Sequence, residues 1–116
     1  MTYNTTIDLD EVRTPRTSGL LSGRDNGEAA RNRFGVSKMD SGQDEITVVI
    51  PDEVFSMNTS FFLGLFGPSV RALGEEGFRK KFKFRCDEQV HRPTIERGIE
   101  NALKHATIFP EKKTAA

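Results

Sequence analysis

Asn58, Thr59 and Ser60 form a short polar step between an apolar run, Glu45 to Ile50, and an aromatic-rich segment that opens with Phe61 and Phe62. Two of the three carry hydroxyls. A hydroxyl in such a place can accept a phosphate, attack a carbonyl if a base stands beside it, or cap a helix. If the apolar run is a strand and the aromatic segment a helix, all three residues sit at a helix N-terminus. Unpaired backbone N–H groups and a partial positive charge gather there and favour an oxygen acceptor or an anion. Thr59 and Ser60 are therefore candidate phosphoacceptors. The plainest alternative is that one of the three only caps the helix, worth about 1 kcal/mol.

Other chemistries find less support. A hydrolase built on Ser60 or Thr59 would need a base, an orienting acid and an oxyanion hole, and the two histidines are His91, read in a turn, and His105, read near a helix C-terminus. No nucleophile-elbow motif surrounds either hydroxyl, so the chain reads as a non-enzyme. Cys86, Asp87, Glu88 and His91 cluster in sequence but lack the paired spacing of a zinc site, so neither metal nor cofactor is expected. Arg79, Lys80, Lys81, Lys83 and Arg85 form a basic run, of which Lys81, Lys83 and Arg85 are candidate anion contacts. Alternation sends Phe82 and Phe84 to the opposite face, away from any base they could stack on. Arg13, Arg16 and Arg24 offer a second, unspecific cationic group.

These residues need elements to hold them. Thr2 to Leu9 alternates weakly and reads as a short strand at a sheet edge. Thr14 to Gly23 carries turn residues, Arg24 to Phe34 can form a helix capped by Gly35, and Ser37 to Asp44 reads as a loop. Glu45 to Ile50 has the β-branched run of a central strand covered on both faces. A helix follows with Phe62, Phe66, Val70 and Leu73 on one side, and Gly67 with Pro68 predicts a kink or break within it. Gly74 and Gly77 then end it, Phe78 to Cys86 reads as a half-buried strand, and Asp87 to Arg92 as a turn. Pro93 opens a last helix bearing Ile95, Ile99, Ala102, Leu103 and Ala106. The order strand, helix, repeated three times, predicts an α/β fold: a single small domain with a short mixed or mostly parallel sheet packed against helices.

With 116 residues the chain suits one domain, here residues 1–106 with most of the core in 45–106, followed by a flexible tail over 107–116. Lys plus Arg and Asp plus Glu both number 17, so no overall field draws the protein to nucleic acid or membrane. A single cysteine excludes an intrachain disulfide framework, and with no signal peptide or membrane span the expected place is the cytoplasm.

The strand–loop–helix junction resembles that of STAS domains, the fold of bacterial anti-sigma-factor antagonists. There a strand ends in a loop bearing an Asp-Ser or Asp-Thr pair at a helix N-terminus. A closer resemblance is to the STAS-like family of unknown function, carried by Ser60-Phe61, by Leu65-Phe66-Gly67-Pro68, by Leu73-Gly74 and by Phe78 to Cys86, over about residues 45–103. It implies a regulatory domain that binds a protein partner, such as a histidine-kinase-like ATPase or related switch protein, with Ser56, Met57, Asn58 and Thr59 as the candidate partner-binding loop; separately from the resemblance, a homodimer is a further candidate assembly. Thr59 then takes the place of the phosphorylated hydroxyl and Ser60 that of its neighbour. Asn58 stands where the antagonists have aspartate, which removes a charge that would assist metal-dependent phosphorylation. A small nucleic-acid-associated module using the basic strand, or a purely structural unit, are the alternatives.

Overall fold

The computed structural model describes residues 4–13 and 19–108. Three strands, β1 (Asn4–Asp8), β3 (Glu45–Val49) and β5 (Phe82–Arg85), form one parallel sheet in the order β1-β3-β5. A second, two-stranded parallel ladder pairs β2 (Leu20–Leu21) with β4 (Ser56–Met57). The helices are α1 (Arg24–Phe34), α2 (Val36–Ser41), α3 (Thr59–Lys81) and α4 (Glu88–Ile108), and a 3-10 turn, Leu9–Val12, follows β1. The chain is an α/β domain with a small parallel sheet packed against helices.

Because the spatial order of the three strands is their order in sequence, right-handed crossovers place every helix on the same face of the sheet. Burial follows that rule. Ile7, Leu9, Ile46, Val48, Ile50 and Phe82 point into the core, whereas Thr6, Lys83 and Arg85 on the other face are exposed. The central strand is therefore covered on one face, not two: Thr47 and Val49 stay half-buried between their strand neighbours.

Helix α3 is the centre of the fold and is buried from three directions. It meets α1 backbone to backbone. A methyl on Gly27 would lie 2.2 Å from the carbonyl oxygen of Phe61, and one on Gly64 2.2 Å from that of Arg24. On its other side Phe62 fills the space a side chain at Gly98 of α4 would need. Toward the sheet, Phe62 and Phe66 join Phe78, Phe82 and Phe84 in a cluster with ring centroids 4.9 to 6.4 Å apart, mostly tilted or edge-on, the geometry that aromatic quadrupoles favour.

A buried ionic knot locks α1 and α2 to α3. Arg31 donates to the Leu65 carbonyl and to Ser69 Oγ, both at 2.9 Å, and to Asp40 Oδ2 at 2.7 Å; Ser69 donates to Asp40 Oδ1 at 2.6 Å. Arg31 and Asp40 are only 11% and 12% exposed. Both charges are thus desolvated and nearly saturated, the condition under which such a pair holds a specific arrangement.

Four local expectations change. Residues 36–41 form α2 where a loop is expected, since Val36 is buried and Asp40 is drawn into the knot. Leu20 and Leu21 form β2 within a segment read as loop, residues 14–18 of which lie outside the described residues. Pro68 is carried inside α3, and the break comes at Gly74, with φ 78° and ψ 167°, a conformation open to glycine. Residues 75–81 therefore resume the helix, and β5 starts at Phe82 rather than Phe78. Helix α4 begins at Glu88, ahead of Pro93, because Asp87 caps it: its carboxylate accepts from Gln89 N–H at 3.1 Å. Arg24–Phe34 with Gly35 in the left-handed region, and β1 at the edge, are as the sequence predicts; residues 1–3 and 109–116 lie outside the described residues.

Replacing Gly64 by alanine is expected to cost at least about 2 kcal/mol in urea unfolding, because the clash is with a backbone carbonyl that no rotamer can move. Gly42→Ala, where the nearest atom is 3.5 Å away, should shift the midpoint little. Asp40→Ala should cost about 3 kcal/mol by leaving Arg31 buried without its carboxylate; a midpoint unchanged from wild type would refute the role assigned to the knot.

Candidate functional site

Helices α1 and α3 lie in the crossovers and α4 follows the last strand, so all three begin at the carboxyl end of the sheet. That end carries the loop between β3 and α3. Asn58 is the N-cap of α3: its side-chain oxygen accepts from Phe61 N–H at 2.9 Å, with backbone φ −90° and ψ 165°. The same oxygen accepts from Gly23 N–H at 3.4 Å. Asn58 N–H in turn donates to the Leu21 carbonyl at 2.9 Å. One asparagine thus ties together the heads of α1 and α3.

Capping falls to Asn58, which leaves the two hydroxyls without that duty. Thr59 is half-buried and Ser60 exposed, and neither hydroxyl has a hydrogen-bond partner among the described residues. They occupy the first two helical positions, where an added phosphate would meet the positive end of the helix. Ser56 and Met57 form β4, and Met57 is buried, so of the loop residues singled out it serves the core.

Ahead of this cap, residues 50–55 fold over the end of the sheet. Val54 is buried and bonded back to the Pro51 carbonyl, while Phe55 N–H and Ser56 N–H both donate to the Gly19 carbonyl. Phe55 lies against Gly19, whose missing side chain makes room for the ring, yet remains 68% exposed. Leu20, beside it in the β2–β4 ladder, is 47% exposed, and Val90 in the first turn of α4 is 44% exposed. These are the large hydrophobic side chains that stand exposed among the described residues; Phe55 and Leu20 adjoin each other through Gly19 and the β2–β4 ladder, while Val90 stands on α4. Sequence reading missed Phe55 and Leu20 as surface residues, since an apolar residue beside a strand is ordinarily core.

His91 is not in a turn but in α4, 2% exposed, with Nε2 3.0 Å from the Val54 carbonyl. A carbonyl only accepts, so Nε2 donates, and Nδ1 is buried without a hydrogen-bond partner among the described residues. This ring pins the loop to α4 and is unavailable to either hydroxyl as a base through Nε2. The remaining members of the sequence cluster are dispersed into separate duties. Asp87 caps α4, and Glu88 is paired with Arg92 at 2.8 Å, which holds its carboxyl below the usual range. Burial pushes the Cys86 thiol up, with Glu88 beside it adding to the effect, so a thiolate is disfavoured. Among the described residues no three His, Cys, Asp or Glu side chains converge on a metal position.

The basic run divides as well. Lys81 ends α3 and donates to the carbonyls of Gly42 and Asp44 at 3.0 and 2.8 Å. Arg79 makes a two-pronged bond to Glu96 at 2.8 and 2.6 Å and is held more firmly protonated by it. Lys83 and Arg85 alone remain on the open sheet face, with Phe82 buried and Phe84 half-buried on the opposite side. Arg13 is bonded to Asp10, Arg16 lies outside the described residues, and Arg24 stands exposed at the start of α1 near Arg71. No helix among the described residues is long and apolar enough to cross a membrane.

No protein-family model, curated protein or solved structure matches the chain.

Asn58→Ala should lower stability by about 1 to 2 kcal/mol, through loss of the cap and of the tie to Gly23. Thr59→Ala and Ser60→Ala should stay within about 0.5 kcal/mol of wild type. Urea midpoints for the three variants check this; a loss for Ser60→Ala equal to that for Asn58→Ala would assign the cap wrongly.

Proposed function

We propose that the chain is a non-enzymatic regulatory domain that binds a protein partner in the cytoplasm through the loop between β3 and α3. The observation that carries this reading is the exposed apolar pair of Phe55 and Leu20 beside that loop. Water-exposed aromatic and aliphatic surface gathered in one place, rimmed by polar groups, is the ordinary mark of a docking surface. The asparagine cap supports the reading, because it holds the loop in one conformation before any partner arrives and so reduces the ordering cost of binding.

Phosphorylation of Thr59 or Ser60 supplies a switch in this reading. Of the two, Ser60 is the more accessible. A phosphate there adds about −1.5 to −2 charge beside the apolar group. It would be held by the helix N-terminus while making the surface unfit for an apolar partner. The residue motifs that resemble STAS domains point the same way, toward a histidine-kinase-like ATPase or related switch protein as partner. A second copy of the chain is the other occupant this surface would suit.

Recovery of partners from the native host, with wild type, Phe55→Ser and Ser60→Ala as baits, tests the proposal. Wild type should retain a partner in stoichiometric amount that Phe55→Ser loses at least about tenfold, a difference in reach of one buried aromatic anchor, with phosphate mapped to Ser60 or Thr59. Identical recovery by all three baits, with no phosphate on either residue, would overturn it.

A further inference from the structure

Strand β5 is the last strand of its sheet, and no strand among the described residues pairs with its outer edge. The Ile50 N–H donates to the Arg85 carbonyl at 2.9 Å, so Arg85 turns its backbone groups toward β3. With the strand period of two, Lys83 does the same, and Phe84 between them directs its N–H and C=O off the open edge. On the helix side this edge borders a groove of about 260 Å³, floored by Phe78, Phe82, Phe84, Ile95 and Ile99. On the outer side stand Lys83 and Arg85, both exposed and bonded to no carboxylate among the described residues. The neighbouring Arg79 and Arg92 are already neutralised by Glu75, Glu88 and Glu96. The charge left at the edge is that of Lys83 and Arg85.

We infer that the β5 edge is a second docking site, which takes an extended segment of a partner protein in which acidic and apolar residues alternate. Such a segment would add a strand to the sheet, pairing with the backbone of Phe84. Its apolar side chains would enter the groove and its carboxylates would lie beside Lys83 and Arg85. Lysines and arginines on an edge bar it from pairing with itself; here they also select the sign of what can pair.

The alternation and the charge pick this occupant over two others. A second copy offering its own β5 would bring Lys83 and Arg85 against their like. A second copy offering β1 could not fill the groove, because Ile7 is wholly buried in its own core. Within the chain, the segment after Ile108 carries Lys112 and Lys113 against a single Glu111, the same sign as the edge.

The test uses the full chain and short synthetic peptides that alternate Glu with Val, alternate Lys with Val, or hold the Glu and Val residues in separate blocks. Affinity is read by fluorescence anisotropy and the site by hydrogen exchange at the Phe84 amide. The Glu/Val alternating peptide should bind at least about tenfold tighter than the other two, as charge complementarity together with strand register requires. It should protect the Phe84 amide and lose its advantage to the Lys/Val peptide on Lys83→Glu with Arg85→Glu. Equal binding of the block peptide, an unprotected Phe84 amide, or loss of binding on Phe55→Ser instead would overturn the inference. A Phe84 amide already protected in the free protein, or self-association abolished by the double charge reversal, would place the chain itself at the edge and overturn it equally. The Phe55→Ser arm separates a peptide held at the loop from one held at the edge, so failure of this inference and failure of the proposed function are told apart.

Discussion

Helices α1 and α3 touch through their backbones, and most of the molecule is arranged around that contact. Glycine at 27 and 64 is what permits it: each leaves room for a carbonyl of the opposite helix. Once the two axes are that close, Arg31 reaches past the contact to the Leu65 carbonyl and Ser69, and Asp40 can close the network from α2. At the other end, Asn58 caps α3 while holding Gly23 at the head of α1. The seam is thus fastened at its head by a cap, in its middle by close packing and at its tail by buried charge. The loop between β3 and α3 leads directly into the head of this seam, so its placement derives from the core rather than from the loop's own sequence.

The strand order decides where a partner can meet the protein. Open α/β sheets hold small ligands in a crevice where the order of strands reverses, and the order β1-β3-β5 has no reversal. What the carboxyl end offers instead is a capped loop with Phe55 and Leu20 on show, a surface suited to another protein more than to a metabolite. Among the described residues the same order leaves one sheet face without helices and both sheet edges without a further strand, and of these β5 couples its edge to an aromatic-lined groove.

Much of this was legible in the sequence where local and tertiary preferences agree. The helix over 24–34, the central strand at 45, the start of α3 after Asn58 and the outward side chains of Lys83 and Arg85 all follow from periodicity, capping and turn chemistry. The failures share a cause. Residues 36–41 have no helical face of their own and are helical because Asp40 is bonded to Arg31, a partner nine residues away. Pro68 and Gly74 are both plausible breakers, and the choice between them is made by backbone conformation rather than residue type. His91 read as a turn residue because its partner is a carbonyl far away in the chain. The exposure of Phe55 depends on Gly19 offering it a place to lie, a relation that no window of sequence contains.

The agreement between sequence order and spatial order bears on how the chain comes into being. Each βα unit packs beside the one made just before it: β3 joins β1, and β5 joins β3. Parallel pairings across whole crossovers, such as Asn4 with Glu45 and Ile46 with Phe82, are costly to close and slow, but each can form as soon as its unit is made, which suits vectorial folding. The α1–α3 seam is complete once Ser69 has been synthesised, whereas the aromatic cluster must wait for Phe78, Phe82 and Phe84. A nascent chain halted before Phe78 would hold α1 and α3 in register while Phe62 and Phe66 lacked their partners. The last third of the protein is then the part that turns a loosely closed intermediate into a sealed core.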